Sequence, residues 1–146
     1  MATRWMLISE AWSLNELALK VGDALIALTL LKLSKLQGLA VEESEEELRR
    51  RVLAVRPVLH SLLREAKAAA GYGYSSPLLK ALQREYGYAD PNRVSERLRR
   101  ALEALERVGK GEYRKEDFEE LERILECVAY EASQRSQELV AMASRS

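Results

Sequence analysis

Arginine is the residue whose spacing carries most of the chemistry in this chain. Arg49, Arg50, Arg51 and Arg56 crowd together, and Arg93, Arg97 and Arg100 recur at steps of four and three. A guanidinium presents a fork of donors that matches phosphate oxygens, and a row of them suits a polyanionic backbone better than one small anion. These seven arginines are therefore the candidate nucleic-acid contacts. The competing reading is a solvated face in which the first cluster pairs with Glu45, Glu46 and Glu47 just upstream.

Other reactive side chains are sparse. His60 is the single histidine and has no Cys or carboxylate set at metal-ligand spacing. Cys127 is the single cysteine, which excludes an intramolecular disulfide, and its neighbours place it on a buried helical face. Carboxylate pairs such as Glu119 and Glu122 belong to an acidic helix face that solvation explains. Gly71-Tyr72-Gly73 lacks the strand-to-helix setting of a nucleotide loop. No nucleophile-base set can be assembled, so the expectation is no enzyme, no cofactor, no metal and no small-molecule substrate.

Bulk composition narrows the classes further. The chain has 146 residues, with 23 Lys plus Arg against 23 Asp plus Glu, so its net charge is zero. A general nucleic-acid binder carries a basic excess, so phosphate contact here would fall on local clusters or on a more basic partner. Few Asn, Cys and Met beside abundant Glu, Arg, Leu and Ala point to a thermophile. Met1 to Trp12 already contains Arg4 and Glu10, unlike a secretory leader. The most apolar run, Ala24 to Leu31, is too short to span a bilayer.

The elements that would position the arginines are all helices. The punctuation Tyr-Gly-Tyr-x-x-Pro occurs at Tyr72–Pro77 and again at Tyr86–Pro91. Gly73 and Gly87 suit the positive φ that ends a helix, Ser76 and Asp90 suit N-caps, and Pro77 and Pro91 suit the first helical position. Residues 4–37 read as one long apolar helix, or two joined near Gly22. Apolar residues occupy most of its circumference from Leu25 to Leu36, which favours an intramolecular core over a second subunit or a membrane surface. Residues 44–70 read as a helix with a capping box, Ser44 and Glu47, and a kink or local break at Pro57. Residues 77–86 form a short helix. Residues 91–108 and 115–144 form a helical hairpin, each with apolar residues at steps of three and four. The expected fold is all-α, a single domain over 1–146 with four to five helices and two corners in the middle.

At the second corner the chain resembles the coat proteins of rod-shaped and filamentous archaeal viruses. The matching residues are Tyr86-Gly87, Pro91 and Arg93, then Ala104-Leu105, Arg107-Val108-Gly109 and Gly111, a stretch of about 26 residues. The resemblance implies a virion coat subunit, assembled in the host cytoplasm, that dimerises with itself or a paralogue and wraps linear double-stranded DNA in the A form. Enveloped members would bring a membrane as a further partner for the apolar N-terminal helix. The tyrosines of the corners would then pack corners or subunit contacts. Three alternatives stay open. Arg56-Pro57-Val58-Leu59-His60 resembles the Arg…His signature of HEPN ribonucleases, with a shorter spacer that opens on proline. A helical small subunit of a CRISPR effector complex would also stack along nucleic acid. A helical adaptor that binds only protein would keep its arginines paired with glutamate.

Overall fold

The computed structural model describes residues 3–73 and 75–145, apart from the side chain of Tyr72. Tyr74, one of the corner tyrosines, lies outside the described residues. Six helical segments follow one another: α1 (Arg4–Gln37), α2 (Glu45–Leu53), α3 (Arg56–Tyr72), α4 (Pro77–Tyr86), α5 (Pro91–Gly109) and α6 (Lys115–Ser144). Only two residues separate α2 from α3, so with those two taken as one broken helix the bundle has five. The fold is all-α, as the patterning predicts.

The break between α2 and α3 has a local cause. Pro57 has no N–H and its ring collides with the carbonyl four residues back, so a helix running through it loses its register. The chain pauses at Ala54 and Val55 and restarts with Pro57 in the first turn of α3. The expected capping box forms only in part. Ser44 Oγ accepts from the Glu47 amide at 3.1 Å, but the Glu47 carboxylate turns to Arg50 instead of reaching back. α1, by contrast, passes through Gly22 without interruption.

Both corners form from the punctuation that predicted them. Gly73 and Gly87 take φ of 73° and 69°, the left-handed region in which a Cβ would be strained. Ser76 Oγ accepts from the Leu79 amide and Asp90 Oδ1 from the Asn92 amide, with Pro77 and Pro91 opening the next helix. Each corner is also fastened by a side chain from elsewhere. The Ser76 amide donates to Glu65 Oε1, and Gln83 Nε2 donates to the Ala89 carbonyl.

Packing divides the molecule in two. In the body, all six helices meet around a core in which Phe118, Leu28, Leu31, Leu48, Leu59, Leu79, Leu82, Leu98, Leu105, Leu121, Ile124 and Leu125 are fully buried. Burying each such side chain contributes roughly 1.5–3 kcal/mol before the entropy of ordering it is set against that gain. α1 and α6 run antiparallel with the most extensive contact in the molecule, and α3 lies along α5. Beyond the body, the N-terminal part of α1 and the C-terminal part of α6 continue as a two-helix arm. Among the described residues its core is Leu7, Ala11, Leu139 and Ala143, with Leu14 half-buried beside them. Ser136 sits at the base of the arm and donates its Oγ to the Ala11 carbonyl at 2.7 Å, so its buried hydroxyl is satisfied across the two helices.

Candidate nucleic-acid interface

The seven candidate arginines do not share a surface. Successive positions on a helix are about 100° apart, so neighbours in sequence point in different directions. Arg51 points back to α1, where it meets both oxygens of Asp23 and also Glu43. Its hydrogen bonds to Asp23 first, then to Glu43, raise its pKa above the usual guanidinium value. Arg56 turns to α5 and pairs with Glu106 at 2.7 Å, and Arg50 pairs with Glu47 at 2.8 Å. Arg49 lies over Gly111 and beside Tyr113 in the turn before α6. Burial first, then the hydrogen bond to Glu45, pushes the Tyr113 hydroxyl up to about 12.

The arginines of α5 divide differently. Arg97 is held in the second corner, 3.2 Å from Glu120 on α6 and 5.0 Å over the Tyr86 ring. A hydrogen bond with Tyr88, then the charge of Glu120, raises its pKa. Tyr86 is itself the hub of this corner. Its ring is buried, stacks on Tyr88 at 6.1 Å and carries Arg123 at 4.4 Å on its face. Burial is the main reason its hydroxyl is pushed well above the ordinary phenol range. So the tyrosines that can be described here pack the corner, as expected. Arg93 sits 5.5 Å over the Tyr88 ring, and both Arg93 and Arg100 are exposed. Among the described residues neither has a carboxylate within ion-pair distance.

Four of the seven, Arg50, Arg51, Arg56 and Arg97, thus have carboxylate partners, and two, Arg93 and Arg100, are open. An exposed pair such as Arg50–Glu47 is worth about 1 kcal/mol or less and would yield readily to a phosphate. Arg51 and Arg97 each engage several groups and hold helices together. Other open cations lie outside those seven. Arg99 is exposed on α5, Arg64 and Lys67 on α3, and Lys80 on α4, again without a carboxylate partner among the described residues. Arg56 meets Glu106 at one end and Ala69 and Ala70 lie with Asp90 and Pro91 at the other, so α3 and α5 run side by side in opposite directions and Arg64 comes level with Arg99 along the two axes. The signal was present as the spacing Arg56, His60, Arg64, Lys67, one flank of a helix read in steps of four and three.

No family model matches the chain, and neither a curated protein nor a solved structure matches it. The remaining candidates are decided by their geometry. His60 is exposed and, among the described residues, no group of three or more His, Cys, Asp or Glu could hold a metal ion. Cys127 is half-buried rather than enclosed, in an open depression of about 550 Å³ with Arg84, Arg123 and Glu131. Burial is the main cause that pushes its thiol up to about 11. Both arginines around that depression are already matched, Arg84 with Glu131 and Arg123 with Glu85. Among the described residues no helix is long and apolar enough to cross a membrane.

Proposed function

We propose that this chain is a structural, non-enzymatic subunit that assembles along linear double-stranded DNA into a helical filament, in the manner of a filamentous archaeal virus coat protein. The observation that carries the reading is the outer flank of α5. There Arg93 and Arg100 share one exposed face and Arg99 is exposed about 100° around the helix, all three without carboxylate partners among the described residues, directly after the corner that bears the resemblance. Arg64 on the neighbouring helix is exposed level with Arg99. Phosphate contact would then be narrower than the seven arginines suggest, with Arg51 and Arg97 serving as framework and Arg50 as an exchangeable partner.

Salt dependence tests this quantitatively. Neutralising Z phosphates gives a slope of log affinity against log salt near −0.9Z, so four open arginines predict about −4 per subunit and all seven original candidates about −6. The double substitution Arg93→Ala with Arg100→Ala should lower that slope by about 2, and nuclease protection of linear duplex at low salt should weaken with it. Absence of any protection at low salt, alone or with a paralogous subunit, would sink the DNA reading. A second reading, an adaptor that binds only protein, draws on the pairing of Arg50, Arg51, Arg56 and Arg97 with carboxylates.

A further inference from the structure

α1 carries two seams, and the core uses only one. Val21, Ala24, Leu28 and Leu31 face the body. On the far side Trp5, Trp12, Leu19 and Ile26 follow one another at intervals of seven residues and are 74%, 67%, 67% and 57% exposed. Leu33 continues the series, half-buried, and three residues after each member come Ile8, Asn15, Gly22, Thr29 and Leu36. Two sets offset by three within a seven-residue repeat are the two contact rows of a coiled-coil helix. A strict repeat of seven keeps such a stripe on one line only along a supercoiled pair.

We infer that a second copy of this chain covers the stripe, with the two α1 helices antiparallel about a two-fold axis between Leu19 and Gly22. In that orientation each residue of the first row meets one of the second row on the partner. A single register then pairs Trp5 with Leu36, Trp12 with Thr29, Leu19 with Gly22, Ile26 with Asn15 and Leu33 with Ile8. In three of these five layers a bulky residue meets Gly22, Thr29 or Asn15, and the contact is the same from both sides, as a two-fold interface requires. A parallel pair would stack Trp5 on Trp5 and Trp12 on Trp12 and leave Gly22 facing Gly22.

The surface relief agrees with this register independently. A depression of about 260 Å³ lined by Leu25, Ile26, Thr29, Leu30 and Glu126 lies where the partner's Trp12 arrives. A second, of about 360 Å³, is lined by Leu30, Leu33, Leu39 and the loop to Glu43, where Trp5 arrives. Trp12 comes with its polar edge satisfied, since its Nε1 donates to Glu16 Oε1 at 2.9 Å, and Thr29 Oγ1 already donates to the Leu25 carbonyl. The arm of each copy would thus clasp the body of the other. The two tryptophans alone offer on the order of 300 Å², and the other eight positions bring the seam towards the ~800 Å² per partner that stable dimers bury. The charges bordering the stripe are mixed, Glu16 and Asp23 along one side and Arg4 and Lys32 along the other, not the uniform Lys and Arg that border a helix lying on an anionic membrane.

This inference rests on the assembly half of the proposed function and not on its DNA half. The test uses the full chain in sedimentation equilibrium and, on a Cys127→Ser background, disulfide trapping of mixed Leu19→Cys and Gly22→Cys chains. A dimer is expected, with the mixed 19-to-22 bridge as the main product. Leu19→Glu should weaken the dimer more than about 100-fold by burying an unpaired charge, with helicity and melting of the monomer unchanged because Leu19 is exposed. A monomer at about 100 µM, far above the Kd of an interface this size, would overturn the inference. So would a dominant 19-to-19 bridge, a Leu19→Glu dimer of unchanged affinity, or association with anionic vesicles by a chain that stays monomeric. A wild-type dimer that gives DNA no protection keeps this inference and removes the DNA reading; a monomer that protects DNA does the reverse.

Discussion

The body and the arm of this molecule use the same pair of helices under opposite conditions. In the body α1 packs also on α2, and α6 on α4 and α5, and Phe118, Leu121, Ile124 and Leu125 have no contact with solvent. In the arm, among the described residues, the same two helices have only each other, and Leu7, Ala11, Leu139 and Ala143 form the core. Two helices can shield one stripe each, so within a single copy the rest of the arm surface is left uncovered whatever its chemistry. Trp5, Met6, Trp12, Val140 and Met142 lie there, largely exposed. An apolar residue in the arm is therefore weak evidence of intramolecular packing, whereas one in the body is strong evidence.

The largest effect that separates the two regions should come from paired truncations. Phe118→Ala is expected to lower global stability by about 3–5 kcal/mol, because a fully enclosed ring leaves a cavity that cannot collapse. Leu139→Ala should open the arm and move the global urea transition by less than about 1 kcal/mol, since local opening there does not require the body to unfold. Equal shifts for both variants would mean that arm and body form one cooperative unit. A smaller effect is expected at the junction. Ser136→Ala removes the buried bond to the Ala11 carbonyl, a loss of about 1 kcal/mol that hydrogen exchange should report as faster exchange in the arm amides alone. The smallest effect is chemical. Cys127 lies on the body side of the junction and its thiol is pushed up to about 11 by burial, so the folded chain holds little thiolate at pH 8. Alkylation at pH 8 should be slower than that of an unfolded thiol by on the order of 100-fold. The sign for stability follows: this raised pKa adds stability that is complete below the unfolded thiol pKa and is lost as pH rises toward 11. A rate that tracks Ser136→Ala would show that arm opening reaches Cys127.

Local features were legible in the sequence because their causes are local. The two corners follow from glycine at the helix end, a capping Ser or Asp, and proline at the next start, all within six residues. The interruption at Pro57 was legible for the same reason, although it separates two helices instead of kinking one. The arginine partners were much less so. Arg51 binds Asp23 across 28 residues and Arg97 binds Glu120 across 23, distances along the chain at which charge patterning says nothing. The cluster at Arg49–Arg51 looked like one patch because it was read along a line, while the helix distributes it around a circle.

Helical class, corner positions and the seven-residue repeat of Trp5, Trp12, Leu19 and Ile26 were determined by the sequence alone, since each depends on backbone preference or periodicity. Tertiary structure decided which of the two seams on α1 is buried and which guanidiniums remain open. Those outcomes depend on which helices stand next to one another, and only the closed bundle brings Arg56 to Glu106 and leaves Arg93 and Arg100 facing water.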